Sequence, residues 1–316
     1  MSGAILETHD PFFNLAVEDF LLHNCKGDYF LLSVNDPSVI IGRHQIIFRE
    51  VDVFTAGSLN IPVIRRISGG GTVYHDRGNL NFTFIRNCEK ERQVDFNQHI
   101  KPVIEFLNVE GVPAVMSGKS DITVDGLKVS GNAEYVYRDR ILHHGTLMFD
   151  TSIEVMKQLI RPLTDIYTTK AVESNRSAVT NLKGRLKNIN TVDELASEMM
   201  RFMKDYFTCI ENLSLTDKEI NEIKSIAEKK YMSWEWNYGF MPSYSLTCDF
   251  EIYDTIGSVR MFVKDGIIWE CNITGSEKLA LVGKMLIGRR HLFNDIKEVF
   301  LSEGLMINDE SLKRFF

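Results

Sequence analysis

"RRISGGGTVYHDRGNLNFTFI", residues 65–85, leads from two arginines through three consecutive glycines and a polar run into a strand-like segment. Adjacent glycines at 69, 70 and 71 remove every Cβ from a loop, so a ligand can lie against peptide N–H groups and positive φ becomes accessible. Such a loop suits a phosphate or a flat group pressed on the backbone. A glycine triplet by itself also fits a tight bulge between strands. Arg65, Arg66, Ser68, His75 and Asn79 supply donors at a spacing that brings several to one mouth if the loop folds back between strands. "IPVIRR" and "NLNFTFI" read as those strands.

Outward from this loop the patterning alternates between helix and strand. Asp10 before Pro11 is an N-cap with proline at the first helical position, and Phe12, Ala16, Val17, Phe20 and Leu21 mark an apolar face that runs to about Gly27. Tyr29–Val34 and Val39–Ile41 are apolar runs separated by Asn35, Asp36 and Pro37, as expected of neighbouring strands. A helix is expected over Phe96–Val109, followed by strands and turns from Val112 to Phe149. Thr191 with Glu194 and Thr216 with Glu219 are capping boxes that open two further helices. After "WEWNYGFMPSY" come strands near Leu246–Tyr253, Ser258–Lys264 and Ile267–Ile273, then short helices near Lys278–Ile287 and Leu292–Phe300. The change of pattern near Met241–Ser245 places a boundary between a main domain, 1–245, and a small α+β domain, 246–316.

Composition narrows the function. A net charge of −7 argues against a protein that wraps nucleic acid, so an anionic ligand must be met by a local cluster of cations. The five cysteines, Cys25, Cys88, Cys209, Cys248 and Cys271, are far apart and contain no C-x-x-C, which fits free thiols in a reducing compartment. The N-terminal stretch is neither a signal nor a transit peptide, and no apolar run has membrane-spanning length. A cytoplasmic protein with no membrane and no nucleic-acid partner is expected.

Two nucleotide motifs fail on inspection. "SGKS" at 117–120 resembles the end of a P-loop, but Pro113 stands where its first glycine belongs, and Tyr74 breaks a G-x-G-x-x-G reading. The informative second segment is "SDITVDGLKVSGNAEYVYRDRILHHGTLMFD", residues 120–150. Val124–Leu127 reads as a hairpin turn that presents Lys128 at the start of the returning strand, beside Ser130-Gly131. A lone lysine on a strand is ordinarily a solvated charge; its place between two glycine loops and the His143-His144-Gly145-Thr146 segment favours function. The histidine pair gives little metal evidence, since neighbours on a strand face opposite ways and no third ligand is spaced to join them.

At these residues the chain resembles the lipoate–protein ligase A family of the biotin/lipoate protein ligase superfamily. "RRISGGGTVYHDRGNLNFTF" and "KVSGNAEYVYRDRILHHGTLMFD" are similar to its two signature blocks, and "SNRSAVTNL", residues 174–182, to a third. Ile46 stands where the family usually has Asn, and Ser120 where it often has Asn. The resemblance implies an α+β fold, a mixed β-sheet catalytic domain with flanking helices, and a two-step reaction. Lipoate and ATP with Mg2+ would give lipoyl-AMP, and a lysine of an apo lipoyl-carrier domain (an E2 subunit of a 2-oxoacid dehydrogenase, or the glycine cleavage H protein) would then take the lipoyl group. Carried over by motif, Arg66, Ser68, Gly69, Gly70, Gly71, Val73 and Asn79 would line the acyl and adenylate channel. Asp121 would hold the nucleotide through its Mg2+, Lys128 would be catalytic, and Gly145 and Thr146 would close the site. Tyr135–Arg140, with Arg138 and Arg140, would form a mobile adenylate-binding loop. His75 and Asp76 are motif members for which packing of the loop is the expected job.

The nearest rival is a transferase of the same fold, using preformed lipoyl-AMP or passing octanoyl or lipoyl groups through a cysteine thioester. The thioester route needs an activated thiolate near the lysine, and the sequence has no cysteine between Cys88 and Cys209. A binding protein that keeps the pocket without catalysis is the rival of another class.

Overall fold

The computed structural model describes residues 1–88, 95–161, 165–175, 177–253 and 255–316. It packs as two compact units, one comprising Met1–Arg43, Ile61–Gln158 and Asn175–Ser233, the other His44–Asn60, Leu159–Ser174 and Trp234–Phe316. No helix among the described residues is long and apolar enough to cross a membrane.

The strands of the first unit are β1 (Ser2–Ile5), β2 (Tyr29–Val34), β3 (Ser38–Ile41), β4 (Val63–Arg65), β5 (Val73–His75), β6 (Asn79–Asn87), β7 (Ala114–Ser117), β8 (Asp121–Val124), β9 (Leu127–Tyr137) and β10 (Arg140–Met148), with a short strand Glu211–Asn212. Eight of them form one mixed sheet in the order Glu211–Asn212, β1, β2, β6, β10, β9, β8, β7, and β4, β3 and β5 form a separate small sheet. β2 and β3 are therefore not the neighbours expected from the turn between them. That turn carries the chain from one sheet to the other, and Asn35 within it is buried with its amide on His75 Nδ1 at 3.0 Å.

The two faces of the large sheet differ in chemistry. One is apolar: Phe30, Leu32 and Val34 of β2, Leu80, Phe82 and Phe84 of β6 and Leu147 of β10 pack with Ile100, Val103, Phe106 and Leu107 and with Leu195, Met199 and Met203. The latter two groups are the period-3.6 faces of helices Phe96–Val109 and Val192–Tyr206. The capping boxes Thr191/Glu194 and Thr216/Glu219 are both formed, and Asp10 caps the helix Pro11–Asn24 by accepting from Phe12 N at 2.9 Å. The alternate residues of β6, Asn79, Asn81 and Thr83, are polar and yet buried. An antiparallel strand that keeps its polar face out of water has something to do there.

The second unit holds a four-stranded antiparallel sheet, Tyr167–Thr169, Tyr244–Ile252, Thr255–Lys264 and Ile267–Thr274, in that order. Helices Glu277–Leu286, Phe293–Ser302 and Asp309–Lys313 accompany it. Its core draws in Phe48, whose ring lies 4.9 Å from His291 and 5.0 Å from Phe316, so chain well before the sheet is part of this unit.

Candidate functional site

The two arginines before the glycines are spent on building the loop. Arg65 is fully buried, and its Nη1 donates to the carbonyls of Gly42 and Arg43 at 2.9 and 3.0 Å. Arg66 donates from Nε to Ser68 Oγ at 2.9 Å, from Nη1 to Ile40 O at 3.1 Å, and from Nη2 to Gly69 O and Gly71 O at 2.6 and 2.7 Å. One guanidinium thus gathers three carbonyls around the loop. Burial pulls its acidity to about 10, which still leaves it a cation at neutral pH, and the Glu18 carboxylate opposes that shift. Gly70 takes φ +86°, and a Cβ there would stand 3.0 Å from Arg66 Nη2, so the turn needs glycine for both conformation and room.

The loop lies over the polar face of the large sheet. Ser68 Oγ is 2.6 Å from His144 Nε2, His144 Nδ1 is 2.9 Å from Glu18 Oε2, and Glu18 Oε1 accepts from Thr83 Oγ1 at 2.5 Å. This chain ties the loop, β10, β6 and the first helix together. Glu18 lies outside the motif blocks of the sequence. The available signal is a carboxylate on the buried side of a helix, between Val17 and Phe20. Below the loop, Asn79 and Thr146 complete the floor with Asn81, whose Oδ1 accepts from Asn79 Nδ2 at 2.8 Å. Asn79 Oδ1 and Asn81 Nδ2 are buried with no hydrogen-bond partner, one acceptor and one donor offered to a polar ligand.

His75 and Asp76 serve the loop's fold. His75 is driven to about 3 by burial, helped by the charges of Arg66 and His144, and is neutral at physiological pH. Asp76 accepts from Gly78 N at 2.9 Å and Ser152 N at 2.8 Å, closing the turn into β6. Burial raises its pKa despite these bonds. Val73 is partly exposed on β5, where it pairs with Ile40.

Lys128 stands where β9 leaves the Asp125–Gly126 turn, at a register shift in its pairing with β8. Its Nζ is 2.9 Å from Asp121 Oδ1, both side chains about a quarter exposed (22% and 26%). A Cβ on Gly131 would come within 3.1 Å of this ammonium, so the glycine is the bare patch across which the lysine reaches. The third sequence block fixes the backbone: Lys128 N donates to Ala178 O at 2.8 Å and Thr180 N to Lys128 O at 2.9 Å. Arg176 of that block lies outside the described residues. Gly131 N in turn donates to Thr146 Oγ1 at 3.4 Å, and Gly131 lies two residues from Ala133, which the loop approaches at Gly70. Lys128, Asp121, Thr146, Asn79 and the glycine loop are therefore brought to one side of the sheet.

Arg138, Arg140 and Gly145 are placed differently. The expected loop Tyr135–Arg140 is a β-hairpin, with strand to Tyr137, a two-residue turn at Arg138–Asp139 and strand again from Arg140. Arg138 is exposed at the turn and stacks on Tyr137. Arg140 is buried, and its guanidinium donates to the carbonyls of Cys25 and Gly27 beyond the first helix. It lies four residues along β10 from His144, roughly 13 Å at strand rise. Alternating residues explain the loop reading: "EYVYRDR" is polar enough for a loop, yet Arg140 is held by a helix end that its own sequence does not reveal. Gly145 faces the apolar side, where a Cβ would collide with Asn132 Oδ1 at 2.0 Å and Phe82 Cζ at 2.4 Å.

The two histidines face opposite ways, as expected, with His144 under the glycine loop and His143 among Phe82, Phe84 and Phe96. His143 alone meets two further potential ligands, His99 and Glu134, on the apolar side, which the spacing of the histidine pair does not announce. Helix-on-sheet packing, rather than spacing along the chain, brings them there. Four of the five cysteines are held as thiols: burial pushes those of Cys25 and Cys88 up, that of Cys248 to about 11 and that of Cys271 to about 12.

Comparison with known proteins places the chain among lipoate ligases by sequence. Residues 10–204 match the family model described as the lipoyl protein ligase A/B catalytic domain. Lipoate-protein ligase LplJ of Bacillus subtilis is 35% identical over 318 residues, covering 98% of this chain and 93% of its own. LipL1 of P. falciparum, solved in complex with lipoate, superposes with a TM-score of 0.65 at 23% identity, covering 98% of this chain and 96% of its own. A lipoate-protein ligase A bound with ATP gives 0.64 at 23% identity, covering 75% and 98%.

Proposed function

This chain belongs to the lipoyl protein ligase A/B catalytic-domain family, and from that premise we propose that it is an ATP-dependent lipoate–protein ligase. The lipoate carboxylate attacks the α-phosphorus of MgATP and expels pyrophosphate, giving lipoyl-AMP. The ε-amine of a carrier lysine then attacks the acyl carbonyl, forming the amide and releasing AMP. E2 subunits and the glycine cleavage H protein are the carriers proposed. The five cysteines are all free, which suits a reducing compartment, and the cytoplasm is the location proposed.

The observation that carries this reading is the placement of Lys128. Two anions must approach in the first step, and a compact ammonium offering three donors can meet oxygens of both. Asp121 at 2.9 Å holds that ammonium in place and would offer a hard oxygen ligand to the Mg2+ of the nucleotide. The glycine loop and the orphaned amide atoms of Asn79 and Asn81 suit the adenylate and the carbonyl end of the acyl chain, with Ser68 held in register by Arg66 and His144. Incubation with lipoate, MgATP and an apo lipoyl domain should add one lipoyl mass to the domain, and omission of ATP should abolish it. Transfer that is independent of ATP would point to the thioester route instead.

A further inference from the structure

On the apolar side of the sheet, beneath the proposed site, His99, Glu134 and His143 form a sealed cluster whose hydrogen bonds do not close. His99 Nδ1 is 3.1 Å and His143 Nδ1 2.8 Å from the same oxygen, Glu134 Oε1, with side-chain exposures of 2%, 0% and 1% for His99, His143 and Glu134. The imidazole rings stack at 4.9 Å. Asn132 decides where the protons are. Its Nδ2 donates to Ser120 O at 2.8 Å and to Ser130 Oγ at 3.1 Å, and a carbonyl only accepts, so its Oδ1 is the atom facing His143 Nε2 at 3.2 Å. His143 Nε2 must therefore carry a proton. A neutral imidazole has one ring proton, which leaves Nδ1 as a lone pair aimed at a carboxylate oxygen.

Two acceptors at 2.8 Å require a proton or a metal ion between them, and a proton held by Glu134 is the neutral alternative to an ion. A second proton on His143 would create an imidazolium sealed from water, which burial opposes. It would also leave Glu134 Oε2 as it stands, buried and without a hydrogen-bond partner. A divalent ion satisfies the lone pairs together and balances a buried carboxylate. Zinc bonds to imidazole nitrogen and carboxylate oxygen of about 2.0–2.2 Å put tetrahedral ligands roughly 3.4 Å apart. The three donor atoms here are already within 4.8 Å of one another, and the contacts of 2.8 and 3.1 Å need to open by only a few tenths of an ångström. The Asn132 carbonyl on the far ring nitrogen is the partner that orients a ligating histidine.

We propose that His99, Glu134 and His143 bind one first-row divalent ion, zinc by preference, with Glu134 gripping it through both oxygens. The ion would bolt the first turn of helix Phe96–Val109 to β9 and β10. Asn132, which orients His143, also fills the space beside Gly145 on the same apolar side. The role is structural: the cluster lies on the side of the sheet away from Lys128.

The test uses the full-length chain, purified without a metal-binding tag, stripped with chelator and dialysed. On adding zinc and dialysing again, mass spectrometry should find one zinc per chain, and Tm should rise by several degrees. Glu134→Gln, which preserves shape, should retain less than a tenth of an equivalent, and Asn132→Ala should bind about ten- to a hundredfold more weakly. Should Glu134→Gln fail to fold, X-ray absorption on the zinc-loaded parent decides, with two imidazole nitrogens expected. Absence of retained zinc and of any Tm shift in the parent would overturn the proposal in favour of a buried proton. Full retention in Glu134→Gln, or a coordination shell without imidazole, would place the ion elsewhere and overturn it equally.

Discussion

Replacing Lys128 with alanine tests the proposed adenylation step at its most exposed point. A carboxylate brought to about 4 Å from a phosphate oxygen is repelled by roughly 4 kcal/mol at an effective dielectric of ~20. Lys128 and Asp121 are each about a quarter exposed, so water screens part of this and the offset from one ammonium is smaller. The alanine variant has a second cost, since it leaves the Asp121 carboxylate without the cation 2.9 Å away and facing the incoming anions. Loss of a single well-aimed donor at developing negative charge slows catalysis by about a hundred- to a thousandfold, or about 2.7–4 kcal/mol, which agrees with the screened Coulomb figure. Single-turnover formation of lipoyl-AMP should fall by that factor. Lys128→Arg should recover little, because the bare patch at Gly131 accommodates an ammonium and a planar guanidinium is broader. Folding should be unaffected, since a partly exposed ion pair contributes about 1 kcal/mol or less. A Lys128→Ala protein with parental Tm that forms lipoyl-AMP at near the parental rate refutes the assignment.

Gly131→Ala should keep Tm within a few degrees while slowing adenylation at least tenfold, because the new Cβ meets the flexible Lys128 tip rather than backbone; an active variant would show that the ammonium does not need that path. Replacement of all five cysteines by serine or alanine should leave ligation within about tenfold, roughly 1.4 kcal/mol, and an acyl-thioester trapped on any one of them would revive the transferase. Burial holds His291 at about 4, against an ordinary value near 6.5, although its Nε2 donates to Phe315 O at 2.6 Å, which favours the charged form. Between those values the unfolded chain binds a proton that the folded one refuses. Stability is therefore full above pH 6.5 and falls as pH drops towards 4, by about 3 kcal/mol in all. Urea unfolding at pH 7.5 and pH 5 should show this loss, with His291→Gln reducing it; equal pH slopes for both proteins would contradict the attribution.

Much of this architecture is written locally. Asp10-Pro11, the apolar period of Phe96–Val109 and the two capping boxes are signals carried by residues within a turn of each other, and each element forms where they stand. Strands β1 and β5, of four and three residues, are too short to show a period and are held by their neighbours. The turn Asn35–Pro37 announces a change of direction, while sheet membership depends on which strands wait on either side. In the proposed site, Lys128, Asp121 and the glycine loop were legible because the motif concentrates them in two blocks. Glu18 was not, because its partners His144 and Thr83 are 126 and 65 residues away. The same holds for His99, which meets Glu134 across 35 residues. Arg140 shows the converse: its motif position suggests a ligand contact, while its guanidinium is held by Cys25 O and Gly27 O, more than a hundred residues away in sequence.

The central claim is that this chain activates lipoate itself, and exchange of labelled pyrophosphate into ATP measures that step without any carrier. Adenylation is reversible on the enzyme, so label should enter ATP only when lipoate and Mg2+ are both present, and Lys128→Ala should lower the exchange rate a hundredfold or more. No lipoate-dependent exchange from a folded protein that still transfers the lipoyl group from supplied lipoyl-AMP would contradict the account and leave a transferase.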